Sequence, residues 1–567
     1  MRLALFAAII ILLNGLVSYL TNLPQDAGLD VPDGKLNSLS YAPFREGQSP
    51  LLQIFPTAEQ IDEDLRLLAG KTHSIRTYAS SQGPLVIPEL ARKHGLTLIH
   101  GAWVGYVKAD IPKELDELVR AANEYPDVIK RVIVGNETLL RGEMKADELI
   151  GYIREVKRRV KQPVSYADVW SMYKKNPQLF NEVDFITIHI LPYWEDEPIP
   201  VDKALKHIER VYKQMEQEAH ELSPGKPILI GESGWPSEGR QRGWAVPSVV
   251  NEAFFIRGLL KIAAENHFDV NIVEAFNQPW KSFQEGVVGA NWGLFSADRQ
   301  EVFPLTGKVT ENVKWLEQFT VSSLISLIVI ALYAKKLQPV AIPKLLVILG
   351  FVQLMAALLV FYADKSWYTS YNDWQRMQTG LIVVLNAVVV WLVLRRAVDV
   401  CHRETTAKGI IVGLDTVYLL ITSLMLYKTY LLAVDGRYIS FPYEIAVIPV
   451  FGLLVLFIIQ CLNGRFALSN LDYNALIGRN PMLNQRAVLM AWLMLFYAVG
   501  LIIGETKAFM IGGDFILAYP DIIERFFWAT IFTLTNLQLV GWLACLIFLA
   551  ISYSMSNKKK PIVDIAA

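Results

Sequence analysis

Two short stretches place a carboxylate where a buried strand runs out. One is "VGNE", residues 134–137, and the other is "GESGWPS", residues 231–237. Each follows an apolar, β-rich run, "IKRVI" from Ile129 and "KPILI" from Lys226, of the kind that lies between two covered faces of a parallel sheet. Gly231 lets the backbone turn ahead of Glu232. Two carboxyls flanking a cleft suit cleavage of a glycosidic bond: one acid protonates the departing oxygen while the other carboxylate attacks the sugar. That chemistry requires unlike pKa values, because two ordinary carboxyls near about 4 are both ionised at neutral pH.

The two carboxylates need a scaffold that brings strand ends together. Eight short β-rich runs alternate with helical patterns: "LSYAPFR" from Leu39, "SIRTYA" from Ser74, "TLIHGAWV" from Thr97, "IKRVIVGNE" from Ile129, "VSYADVW" from Val164, "DFITIHILPYW" from Asp184, "KPILIGE" from Lys226 and "VNIVEAFNQPWK" from Val270. Between them apolar residues recur at helical spacing, as with Leu149, Ile150, Ile153, Val156 and Val160. Eight such units over residues 36–316 predict a (β/α)8 TIM barrel, a fold of about 250 residues with its chemistry at the C-terminal ends of the strands. Those ends carry Arg76, Tyr78, Trp103, Asn136, Glu137, Asp168, His189, Tyr193, Glu232, Trp235, Gln278, Trp280 and Lys281, so one mouth collects both carboxylates and several rings. Aromatic faces stack on sugars, although core packing is the ordinary role of Trp103, Trp235, Trp280 and Trp292. Asp168, His189 and His73 read as structural hydrogen-bonders.

The remainder of the chain, 567 residues in all, is apolar in long stretches. Spans are expected at 3–20, 319–334, 345–363, 379–394, 409–427, 445–462, 487–504 and 526–553. The first, within residues 1–22, reads as a retained anchor, with a cleaved signal as the alternative; the others form an α-helical multispan membrane domain over 319–553, and 554–567 form a cytoplasmic tail. An inside N-terminus puts Lys335, Lys336, Lys344, Arg395, Arg396, Arg403, Lys408, Arg465, Arg479, Arg486 and Lys558 to Lys560 on the cytoplasmic side. The opposite loops hold only Lys365, Arg376, Lys428, Arg437, Lys507 and Arg525, so basic residues face inward and the barrel is extracytoplasmic. Asn386, Asp415, Asn536 and Gln538 are polar at membrane depth and serve either helix packing or a functional path, packing being the commoner role. A net charge of -1 gives no reason to expect nucleic acid, and Cys401, Cys461 and Cys545 form neither a disulfide framework nor a zinc motif.

"VGNE", "GESGWPS", "FNQPWK" at 276–281 and "NWGLF" at 291–295, in that order, resemble family 17 glycoside hydrolases, the β-1,3-glucanase and β-1,3-glucanosyltransferase group, in a membrane-attached bacterial form. The resemblance spans about residues 39–305. It implies that Glu137 is the general acid/base, Glu232 the nucleophile of a retaining mechanism, Asn136 a contact to the neighbouring sugar hydroxyl, and Tyr193 a support for the nucleophile. Asn136, Tyr78, Trp103, Tyr193, Trp235, Trp280, Lys281 and Glu285 are expected to bind substrate, and Lys281 and Glu285 lie where members keep an auxiliary ion pair. Gln278 departs from the pattern, standing where many members have Glu. Neither metal nor cofactor is implied. The expected partners are β-glucan, the lipid bilayer and a separate glucan synthase. The expected activity is elongation or branching of β-1,3-glucan at the inner membrane, on its periplasmic side, with hydrolysis as the alternative. A glycan-binding or transport scaffold is the alternative of another class, and two intact carboxylates at Glu137 and Glu232 speak against it.

Overall fold

The computed structural model describes residues 2–81, 85–464, 466–479 and 485–556. Arg465, Lys558 to Lys560 and the rest of the expected tail from residue 557 lie outside the described residues. The chain forms two compact units, residues 24–311 and residues 1–23 with 312–567.

The first unit is the expected barrel. Eight parallel strands, β1 (Leu36–Ser40), β2 (Thr72–Arg76), β3 (Thr97–Ala102), β4 (Ile129–Asn136), β5 (Val164–Val169), β6 (Ile186–His189), β7 (Ile228–Ser233) and β8 (Asp269–Ile272), close in sequence order, with β8 pairing back to β1. Alternation along each strand divides the core. Outward residues such as Leu98, Val132, Val134, Ile188 and Ile230 pack against the helices, whereas Ile99, Ile133, Ala167, Phe185 and Leu229 form a separate small cluster. The helices present matching apolar stripes: Ala146–Lys157 buries Leu149, Ile150, Ile153 and Val156. Local signals start them too, as in the capping box of Ala58–Leu68, where Thr57 and Gln60 satisfy each other's backbone N–H groups.

Buried polar side chains then gather at the C-terminal ends of the strands, where the register slips. Pairing shifts between Ile133 and Asn136 on β4, between Ile188 and His189 on β6, and between Ile230 and Ser233 on β7. Each irregularity re-aims the side chains that follow it, and those include Asn136, His189 and Glu232. Gly231 corrects one expectation. β7 continues through it as a strand that bulges there, and the chain does not turn; a Cβ at this position would lie 2.4 Å from Thr187 Cγ2, so the glycine is required by close packing against β6.

The second unit is helical. Among the described residues, eight of its helices are long and apolar enough to cross a membrane: Arg2–Thr21, Trp315–Leu337, Ile342–Tyr368, Asp373–His402, Lys408–Val434, Tyr443–Asn463, Gln485–Met510 and Leu537–Met555. The expected continuous span 526–553 is instead broken at Asn536, between Ile522–Thr535 and Leu537–Met555. The Asn536 side chain accepts from Leu539 N at 3.1 Å, a cap that competes with helix continuation. The other polar positions are likewise tied into packing. Asp415 accepts from Arg479 Nη1 at 2.8 Å and from the Tyr473 hydroxyl at 3.3 Å, Asn386 Nδ2 donates to the Glu444 carbonyl at 2.7 Å, and at Gln538 the backbone carbonyl accepts from the Tyr443 hydroxyl.

Candidate active site

β4 ends in a backbone that only certain residues tolerate. Gly135 has φ +85°, and a Cβ there would crowd Thr138 Oγ1 at 3.0 Å and the Tyr166 ring at 3.3 Å. Glu137 itself lies in the left-handed region at φ 51°, a conformation that side chains other than Gly, Asn and Asp seldom adopt. It is fixed there by Glu137 N donating to the Ala167 carbonyl at 2.8 Å. Thr138 Oγ1 donates to the Val104 carbonyl at 2.7 Å and clamps the next residue. The strained turn aims the Glu137 carboxylate at β6 and β7.

There it meets His189. Nδ1 of this fully buried ring lies 2.9 Å from Glu137 Oε1, and Nε2 lies 3.6 Å from Glu232 Oε1, so one imidazole sits between the two carboxylates. One donor atom from each of Glu137, His189 and Glu232 lies within 4.8 Å of the others, and this trio could also hold a cation. Arg76, 1% exposed, forms the second bridge: Nη1 donates to Glu232 Oε1 at 3.0 Å and to the Gly231 carbonyl at 2.8 Å, while Nη2 donates to Asn136 Oδ1 at 2.6 Å. The sequence placed both residues at the mouth but gave His189 only a structural role, and Arg76 none.

The electrostatics of Glu232 are a contest. Burial pushes its carboxyl up, but His189, Arg76, Lys281 and the Tyr78 hydroxyl together outweigh burial and hold it below the usual carboxylate range. The Tyr78 oxygen lies 2.8 Å from Ser40 Oγ, and the Arg76 guanidinium is 4.8 Å from its ring, so both neighbours fix where the hydroxyl stands. Lys281 Nζ donates to Glu274 Oε1 at 2.8 Å. Lys281 thus pairs with Glu274, while Gln278 holds the Ala42 carbonyl and the Trp280 indole. Glu285 belongs to the same group: burial, offset by Lys281 and reinforced by Glu274, Glu137 and Glu232, pushes it up to about 7. Asp168 is raised to about 6, by burial first and by Glu137 among its neighbours. Its contacts are structural, as expected: it accepts from Tyr166, from Val169 N at 2.8 Å and from Leu140 N at 3.3 Å, fixing the loop after β4. His73 is exposed on β2.

The aromatic residues divide. Trp103 is 36% exposed, and Arg141 lies over its ring at 4.6 Å; Arg141 also approaches Glu137 Oε2 at 3.9 Å and donates to the Asn136 carbonyl at 2.7 Å. Trp280 is half-buried beside Phe44 at 6.0 Å. Tyr193 and Trp235 overturn their expectation. Both are fully buried, Tyr193 donating to the Arg240 carbonyl and packing on Trp235 and Trp292, and Trp235 Nε1 donating to the Val246 carbonyl. Neither leaves a ring face for a sugar, and Trp292 is core as well. Trp194, next to Tyr193, is half-buried, stacked on Trp292 at 6.3 Å with the Arg242 guanidinium 5.5 Å from its ring.

Residues 38–293, inside the first unit, match the family described as BtgE/BtgC glycoside hydrolase domain. The barrel is a family 17 glycoside hydrolase domain. Relatives include a glucan 1,3-beta-glucosidase of Arthroderma benhamiae, 27% identical over 271 residues that cover 44% of this chain and 85% of that protein. The glucan 1,3-beta-glucosidase of Schizosaccharomyces pombe is 28% identical over 245 residues, covering 40% of this chain and 74% of its own length. Among solved structures, the glycoside hydrolase family 17 beta-1,3-glucanosyltransferase of Rhizomucor miehei is 26% identical, covering 47% of this chain and 95% of that one, with a TM-score of 0.40.

Proposed function

We propose that this protein is a membrane-held, retaining transglycosylase of β-1,3-glucan. The observation that carries this reading is the carboxylate pair of Glu137 and Glu232, with donor oxygens within 4.8 Å and His189 between them. Retaining glycosidases hold their carboxyls about 5–5.5 Å apart, whereas inverting ones leave about 6.5–9.5 Å for a water. The linkage comes from the names of the two similar glucosidases and the glucanosyltransferase.

In this mechanism Glu232, kept ionised by its cationic surroundings, attacks the anomeric carbon as Glu137 gives its proton to the departing oxygen, and a glycosyl ester forms on Glu232. An acceptor hydroxyl then loses its proton to Glu137, attacks the same carbon and releases the Glu232 carboxylate. Arg76 occupies the Asn136 Oδ1 atom and so leaves the Asn136 Nδ2 hydrogens for the sugar hydroxyl next to the reacting carbon. His189 and Arg76 hold the two carboxylates in register throughout.

Transfer over hydrolysis is supported by Trp103. The leaving group departs beside Glu137 and the acceptor enters the same place, and the exposed face of Trp103 stands on that side through Arg141. An oriented acceptor reaches effective molarities on the order of 10⁵ M, well above water at about 55 M. Incubating the full-length protein with one pure laminari-oligosaccharide should give early products longer than the donor, with and without EDTA. Only shorter products at millimolar donor would make the enzyme a hydrolase, and loss of activity in EDTA would move the chemistry to a cation on Glu137, His189 and Glu232.

Localisation is the second part of the reading. Eight helices of spanning length and the basic residues gathered in alternate loops support a multi-pass inner-membrane protein whose barrel is extracytoplasmic. A phosphatase reporter fused near Asn312 is expected to be active and one fused after Lys560 inactive. The reverse pattern would turn the topology over.

A further inference from the structure

Within the helical unit a cavity of about 30 Å³ lies between the helices Ile342–Tyr368 and Asp373–His402 and the turn Tyr443–Ile445. Its polar lining is Tyr362, Ser366, Thr379, Asn386 and Glu444, and aliphatic side chains close the rest. Two of these groups are anchored: Asn386 Nδ2 donates to the Glu444 carbonyl at 2.7 Å, and Thr379 Oγ1 shares a hydrogen bond with Ser370 Oγ at 2.9 Å. Among the described residues, the Glu444 carboxylate takes a hydrogen bond from its own backbone N–H but none from a side chain, and the Tyr362 hydroxyl has no hydrogen-bonding side-chain partner. Lys428 and Lys365 act on Glu444 through space.

Glu444 is half-buried, and a carboxylate among apolar helices is costly to the extent that positive charge and hydrogen bonds leave it uncompensated. The cavity offers only oxygen ligands, one carboxylate with hydroxyls and an amide carbonyl, which is the chemistry of hard cations. One carboxylate balances one charge. Its volume admits roughly two water-sized particles, at about 10–15 Å³ each, which excludes a sugar ring or an acyl chain. We propose that this cavity binds a single sodium-sized monovalent cation, with Glu444 neutralising the charge and the Tyr362, Ser366, Thr379 and Asn386 oxygens replacing its hydration shell. The inference does not depend on the glycan chemistry of the barrel.

The test is thermal unfolding of the full-length protein in detergent, with NaCl exchanged against choline chloride at constant ionic strength and EDTA present throughout. The melting temperature should rise with sodium and saturate, as binding to the native state requires. Glu444→Gln should raise the half-saturating sodium concentration by about tenfold or more, a change equivalent to losing at least one strong contact. Tyr362→Phe and Thr379→Val should shift it in the same direction by less, and they carry the test if Glu444→Gln does not fold. Equal melting of the wild type in sodium and choline would overturn the proposal, as would a sodium response untouched by all three substitutions. A melting temperature that follows pH but not sodium would assign a proton to Glu444 in place of the cation.

Discussion

Glu232→Ala is expected to lower kcat by about 10⁴-fold or more, because without the carboxylate no covalent intermediate forms and the two-step route is closed. Glu137→Ala should behave differently. Substrates whose leaving groups depart without a proton should still load Glu232, so an ester accumulates and turnover is limited by its breakdown. Azide, which needs no general base, should then rescue the reaction and give the β-glycosyl azide, the product of two inversions. Rescue of Glu232→Ala with an α-glycosyl azide is the mirror result for a missing nucleophile. If Glu137→Ala gave the α product instead, the two roles would have to be exchanged. The assignment therefore rests on product stereochemistry, which a merely misfolded variant cannot imitate.

The carboxylates were legible because two signals coincided at each, an apolar run that ends and a short block around the acid. The barrel was legible for a similar reason, since eight period-two runs separated by helical stripes leave few other ways to bury both faces. The machinery around the acids was not. Arg76 and His189 stand at strand ends like several other residues, and only the register slips on β4, β6 and β7 turn the facing groups toward one another. Glu274 is hidden inside the apolar run "NIVEAF", and its partner Lys281 lies seven residues on, a distance no local pattern links. Tyr193 and Trp235 were misread because a strand-end aromatic looks the same in sequence whether its ring faces the cleft or the packed layer behind it. In the helical unit the break at Asn536 was masked by hydropathy, which registers a long apolar stretch and not the side chain that caps its second half.

Arg76→Met carries the other large effect, on activity and on acid stability together. Among the described residues the guanidinium is the only group seen to hold Glu232 and Asn136 at once, so its loss frees both from their register and is expected to cost about 10²–10³-fold in kcat/KM. Removing one partner of a buried ion pair costs about 3–5 kcal/mol, and His189 and Lys281 remain to place this case at the lower end. The pH dependence separates the electrostatic role from packing. Glu232, held below its ordinary value in the fold, takes up its proton at lower pH than in the unfolded chain. It therefore contributes stability that is complete above the ordinary glutamate pKa of about 4.3 and is lost as pH falls through the depressed native value. Without Arg76 the carboxyl rises, the stabilising window narrows, and both acid unfolding and the acid limb of kcat/KM should move to higher pH. Arg76→Lys keeps the charge but cannot span Asn136 and Glu232, so its acid limb should stay near that of the wild type while its rate falls. An unmoved acid limb in a folded Arg76→Met protein would strip the guanidinium of its electrostatic role and leave His189 and Lys281 as the groups that keep Glu232 ionised.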